Sequence, residues 1–326
     1  MSTTLYRCVT LLGASLLAFN AAAQSAASYP GRPIRMIVPS APGSGPDIMA
    51  RAIGQKITEA FGQQVIIDDK PGAGGIIGSE AAAKSAPDGY TLIMANAGSH
   101  AVNASLYAKL PYDPVKDFAP ITLVSSAPNI LIVHPSLPVK SVKDLIALAK
   151  SKPGQLAFGS GGNGSTAHLS GEMFKTMAGI DIVHIPFKGS PGAVLAVIAG
   201  QIAMAMPNIP PALPHVKTGK LKALAVTTAK RAAAVPGLPT VAESGLPGYE
   251  ATAWFGVLAP AGTPRDIIDR LNGVIVKSLR AAEMQQRLQA DGAEAAGGTP
   301  EDFAAVIRRD IAKWAVVVKK SGARAE

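Results

Sequence analysis

Short apolar runs alternate with segments of helical spacing over the first third of the chain. Residues 34–38 (Ile-Arg-Met-Ile-Val) have strand length, and 47–61 follow with Ile48, Ala52, Ile53 and Ile57 near the helical repeat. A second strand is predicted at 65–67, a helix at 76–85 and a third strand at 90–95. Strands and helices joined by short connections imply a largely parallel sheet covered on both faces.

A second series of the same kind begins near Asn129. It predicts strands at 130–133, 156–158, 182–185, 203–206 and 221–226, with helices at 142–150, 165–177 and 193–199. Ser141 stands where an N-cap would open the first of these helices. The tail changes character. After one more strand at 254–258 come helical patterns at 264–279, 283–290 and 300–319. Such a tail packs most economically on the first series. The chain then crosses twice between two α/β lobes, near 125–126 and near 249–254. The expected division is 28–125 with 250–326 in one lobe and 126–249 in the other. Two lobes on two crossings make a hinged cleft.

The first residues stand apart from this pattern. Arg7, the apolar run 9–19 and Ala21-Ala22-Ala23 predict an export signal cleaved after about Ala23, and hence a periplasmic protein. The run is shorter than the roughly 18 residues of a membrane span. Cys8, the single cysteine, lies within this segment, so a processed chain has no disulfide or thiolate chemistry.

Composition narrows the class further. Hydrophobic residues make up 48% and charged residues 16%, which excludes disorder. The net charge of +9 is dispersed, with no Lys/Arg-rich run, so nucleic acid is not an expected partner. Five scattered histidines show no zinc spacing, no Gly-x-Ser-x-Gly elbow occurs and no carboxylate pair stands out. Neither a catalytic constellation nor a cofactor is expected.

The informative segments are two glycine-rich loops, each leaving a strand and entering a helix. The first contains Ser40, Ala41, Gly43, Ser44, Gly45 and Asp47. The second contains Gly161, Gly162, Asn163, Gly164, Ser165 and, one turn into its helix, His168. Free backbone N–H groups at a positive helix end form an anion site. Either loop alone is an ordinary strand-to-helix turn; one in each lobe points to a ligand. The second loop also matches Gly-x-Gly-x-x-Gly from Gly159, but the nearest acidic residue, Asp181, lies at the wrong end of its strand for a dinucleotide site. Further candidates follow other strand ends: the 70–75 loop, Asn96, Gly98 and His100, then Lys188 and Asn208. Asp47 suits capping of its helix better than general base chemistry.

These residues resemble the Bug family, the extracytoplasmic receptors of tripartite tricarboxylate transporters. The likeness runs from about Tyr29 to the C-terminus. It is carried by Pro42-Gly43 with Asp47-Ile48-Met49-Ala50-Arg51, by Pro71-Gly72-Ala73-Gly74-Gly75 and by Pro87-Asp88-Gly89-Tyr90-Thr91-Leu92. Gly161 to His168, Pro186-Phe187-Lys188-Gly189 and Gly219-Lys220-Leu221 add to it. The resemblance implies a type II periplasmic-binding-protein fold that captures a small organic carboxylate, mainly through backbone amides and ordered water. It implies a monomer that hands this ligand to the transporter's membrane subunits. Ser44 and Pro46 depart from the family's usual Gly-Gly pair and hydroxyl residue, and Pro46 removes one donor N–H. Two other readings stay open: a receptor of the same fold serving a sensor kinase, and an exported enzyme holding a nucleotide on the Gly159 loop.

Overall fold

The computed structural model describes residues 29–290 and 293–321. The expected export signal lies outside the described residues. Two mixed sheets organise the rest. The first takes β1 (Ile34–Val38), β2 (Val65–Asp69), β3 (Thr91–Asn96) and β4 (Phe118–Pro128), then β10 (Thr252–Pro260) and β11 (Glu294–Ala295) from the tail, in the order β11-β4-β10-β3-β1-β2. The second takes β5 (Ile130–Val133), β6 (Ala157–Ser160), β7 (Val183–Pro186), β8 (Met204–Ala205) and β9 (Lys222–Val226), in the order β7-β6-β8-β5-β9.

Both sheets follow one plan. In each, three parallel strands lie side by side with the earliest of the three in the middle, and one antiparallel strand separates them from the strand beyond it, to which the first sheet adds the antiparallel β11 at its edge. That antiparallel strand is β10 in the first sheet and β5 in the second. Each is the strand that has just crossed from the other lobe. The crossings lie between β4 and β5, at Asn129, and between β9 and β10.

The helices are α1 (Gly45–Phe61), α2 (Ile76–Ala83), α3 (Asn103–Leu106), α4 (Val142–Ser151), α5 (Thr166–Ala178), α6 (Ser190–Ile198), α7 (Ile209–Lys217), α8 (Arg265–Arg280), α9 (Ala282–Ala290) and α10 (Pro300–Ser321). The tail helices pack on the first sheet. α8 packs on β4 and α1, while α10 packs on β4 and reaches α5 of the other lobe. Gly256 of β10 makes this approach possible, since a Cβ there would stand 2.2 Å from Cζ of Phe303 on α10.

Four elements escape the hydrophobic pattern. β4 carries Pro120 and Pro128, which punctuate it as a loop. Pro120 is tolerated because it sits beside a register shift of the β10 ladder. α7 contains Pro210, Pro211 and Pro214, and only the last falls where it removes a helical hydrogen bond. A wide turn at Gly98–Val102 and the short α3 have no apolar repeat long enough to read.

One apolar cluster belongs to each sheet and its helices, and a third takes residues from both lobes, among them Tyr249, Trp254 and Trp314. Within it the Trp254 indole N–H donates to Asp310 Oδ2 of α10 at 2.8 Å, with both residues buried. Asp310→Ala leaves that N–H without an acceptor, at a cost of about 1–3 kcal/mol. Chemical denaturation should show the loss, and Trp254→Phe in the same background should add little to it.

Candidate functional site

The carboxyl ends of β1, β3, β6, β7 and β8 face a cleft between the sheets. Its outer chamber has a volume of about 600 Å³ and is walled by Pro39 and the 71–75 loop on one side and Phe187 and Lys188 on the other. A smaller inner pocket of about 40 Å³ continues from it, sharing Ser40, Asn96, Gly161 and Ser165. That is room for roughly one carboxylate group or two to three waters.

Helix starts converge on the inner pocket. Ser44 and Pro46 belong to the start of α1, Thr166 and Ala167 to α5, Ser190 to α6, and Asn208 stands at the N-cap position of α7. One helix comes from the first lobe and three from the second. A helix start leaves backbone N–H groups unpaired and carries partial positive charge. Ionic side chains are few: Lys188 is the only charged residue on the walls of the two chambers. The site is therefore a cage of neutral donors suited to a small anion. No group of acidic, histidine or cysteine residues among those described could hold a metal ion.

Each glycine-rich loop is shaped from behind. In the first, Asp47 Oδ2 accepts the Gly43 N–H at 2.8 Å, and Arg51 pairs with the other carboxylate oxygen at 2.7 Å. The Ser44 hydroxyl donates to the Ala41 carbonyl rather than capping its helix. In the second, His168 Nδ1 accepts the Gly164 N–H at 3.2 Å, and the His184 ring bonds Ser160, whose hydroxyl oxygen accepts the Gly162 N–H. The two imidazoles stack with ring centres 4.1 Å apart. Asn96 holds the Ser99 N–H through its side-chain oxygen at 3.0 Å, which leaves its NH2 as a donor in the cleft wall.

A model of the family described as the tripartite tricarboxylate transporter family receptor matches residues 49–323. This chain belongs to that family. Its members are substrate-binding receptors, not enzymes. Protein BugT of Bordetella pertussis is 40% identical over 305 residues, covering 93% of this chain and 94% of BugT. Among solved structures, R. palustris Rpa4515 with adipate has a TM-score of 0.88 at 40% identity, covering 90% of this chain and 98% of that one. MatC from Rhodopseudomonas palustris with bound malate has a TM-score of 0.85 at 32% identity, covering 89% and 100%. The architecture is thus the two-lobed periplasmic-binding-protein fold of this family, and the chain is a solute-binding receptor. No helix among the described residues is long and apolar enough to cross a membrane.

Of the residues expected from sequence, Ser40, Ala41, Asn96, Gly161, Gly162, Asn163, Ser165 and Lys188 line the outer chamber. Ser44 and Asn208 line the inner pocket. The others are placed differently. Gly43 and Asp47 support the first loop, as above. Gly45, Gly98 and Gly164 lie where the lobes touch: a Cβ on Gly98 would stand 2.7 Å from the Gly164 carbonyl oxygen. His100 is fully buried against Phe118 and bonds Ser99, and His168 stands behind its loop. Neither histidine reaches the cleft walls. Burial decides this, and burial cannot be read from a lone histidine. Tyr107, Thr166, Ala167, Ser190 and Phe255 also line the cleft. Thr166 and Ser190 carried a faint signal, as small polar residues opening a helix after a strand.

The histidines set a pH dependence. Burial pushes His100 down to about 3, His168 to about 4 and His184 to about 3, the last aided by the neighbouring His168. Unfolded histidine titrates near 6.5. Between these values the unfolded chain binds more protons, so stability is full above about pH 6.5 and falls as pH drops towards 4. Glu172, raised by burial, works in the opposite sense. Calorimetry should find the melting temperature at pH 4.5 lower than at pH 7.5 by roughly 5 °C or more. His168→Gln should flatten part of that slope.

Proposed function

We propose that this chain is an exported, monomeric periplasmic receptor that captures a small organic carboxylate and delivers it to the membrane subunits of a tripartite tricarboxylate-type transporter. The convergence of four helix starts from both lobes on the inner pocket carries this reading. A carboxylate seated there bridges the lobes and is held by backbone N–H groups and the small polar side chains beside them. A hydrogen bond to a charged group is worth about 1.5–3 kcal/mol net, and four give roughly 6–12 kcal/mol before ordering costs. Micromolar binding needs about 8 kcal/mol.

The outer chamber then takes the rest of the ligand. Phe187 and Pro71 cover an aliphatic body, while Lys188 and Tyr107 supply a charge and a hydroxyl to a polar far end. This favours an acid with a second carboxylate, in keeping with the adipate and malate in the similar structures.

A thermal-shift screen of the processed chain against mono-, di-, tri- and aromatic carboxylates, with NAD and ATP as controls, tests the reading. A ligand at 100 times its dissociation constant adds about 2.7 kcal/mol of stability. Shifts confined to carboxylates, and lost uptake of the same acid in a deletion strain, are the expected results. A shift with nucleotide alone would overturn the proposal, and binding without an uptake defect would move the receptor to a sensor kinase.

A further inference from the structure

The inner pocket has one polar residue whose local role is cancelled by its own sequence. Asn208 is the N-cap of α7, and a capping side chain accepts from the second or third helical N–H. Those positions are Pro210 and Pro211, which have none. The Asn208 amide, only 6% exposed, accordingly makes no cap bond. It turns to the crossing strand instead, where its Nδ2 donates to Asn129 Oδ1 at 2.7 Å.

The direction of this bond is forced by chemistry further along. The Ser170 hydroxyl donates to the Thr166 carbonyl at 2.7 Å, and a carbonyl can only accept. Ser170 Oγ must therefore accept from Asn129, and Asn129 Nδ2 is 2.7 Å away. Asn129 then has only its oxygen to offer Asn208. Asn208 must present NH2 to Asn129, which leaves its own oxygen on the opposite side. That oxygen lies 3.0 Å from where a Cβ on Gly45 would stand, at the start of α1 in the other lobe. α1 lacks a side-chain cap of its own, because the Ser44 hydroxyl is turned to Ala41.

We propose that Asn129 is a positioning residue that turns the carbonyl oxygen of Asn208 toward the uncapped start of α1, so that closing the cleft caps a helix of one lobe from the other. The backbone of Asn129 is anchored for the task. Its N–H donates to the Thr227 hydroxyl oxygen, and that hydroxyl donates to the Ala251 carbonyl, so both crossings are tied at the same point. Closure then has a stabilising contact that does not depend on the ligand.

The test needs no ligand. Spin labels, one on each lobe, report the ratio of closed to open molecules in the ligand-free protein. Asn208→Ala, Asn129→Ala and Ser170→Ala should each lower that ratio about five- to tenfold. The Asn129→Ala/Asn208→Ala pair should fall no further than Asn208→Ala alone, since one contact is being removed. Ser170→Thr, which keeps the hydroxyl, should restore the wild-type ratio. If Asn129→Ala fails to fold, the Ser170 pair decides. Additive losses, an unchanged ratio in Asn129→Ala or Ser170→Ala, or no closed population in the wild-type protein would each overturn the proposal. A thermal-shift screen without carboxylate hits would leave it standing, so the two readings fail separately.

Discussion

Gly74→Ala is expected to lower ligand affinity by about 10- to 100-fold while the protein stays folded. Gly74 lies in the 71–75 loop of the first lobe, with φ +63. A Cβ there would stand 2.2 Å from the Asn163 carbonyl oxygen of the second lobe. The obstacle is backbone, so no rotamer relieves it. Forcing atoms into a packed site costs about 1–3 kcal/mol, and each 1.4 kcal/mol is about tenfold in affinity. The collision exists only when the lobes meet, so the cost falls on closure. Left-handed backbone also strains alanine, by about 1–2 kcal/mol. Gly62→Ala separates the two effects: Gly62 has φ +71 and nothing within 4 Å of its would-be Cβ. Both variants should lose similar stability in denaturant, and only Gly74→Ala should bind the acid found in the screen more weakly. Equal affinity in the two would mean that binding does not require this lobe contact.

The architecture was legible where burial on both faces leaves a strand no polar positions. Ile130–Val133 is of this kind and Ile34–Val38 departs from it only at Arg35, and their alternation with helices implies largely parallel sheets. β4 was not, because its prolines mask a strand that survives through register shifts of its own against β10. The two glycine-rich loops were legible as the lips of the cleft, since a strand that enters a helix through glycine exposes backbone donors. The depth of the site was not. Nothing local distinguishes His100 and His168, which brace the walls, from residues that line them. Thr166, Ser190 and Asn208 are small residues at the starts of three helices, and their meaning comes from meeting α1 in one pocket. That juxtaposition is set by strand order, which places β6, β8 and β7 side by side and points their carboxyl ends across the cleft at β1.

Proline placement decides which of the four helix starts matters most to a bound anion. Three of them carry proline in the first turn: Pro46 in α1, Pro191 in α6, Pro210 and Pro211 in α7. Each proline removes a donor. α5 alone keeps every first-turn N–H, and of these only His168 N is taken, by its N-cap Ser165. The Thr166 and Ala167 N–H groups are thus the least depleted donors at the pocket. Thr166→Pro deletes one of them cleanly. Position 166 is the first of the helix, where proline is well tolerated. Ser165 before it is extended, with φ −66 and ψ 154, which a following proline accepts. The Ser170 bond uses the carbonyl of residue 166 and survives the change. Losing a bond to a charged group should cost about 1.5–3 kcal/mol, or roughly 10- to 150-fold in affinity. Thr166→Val removes the hydroxyl but keeps the N–H, and should stay within a few-fold of wild type. Titration calorimetry on the two variants separates the cases. Strong loss in Thr166→Pro alone places the carboxylate on the backbone of α5; loss in both places it on the threonine hydroxyl; loss in neither moves the anion out of the inner pocket.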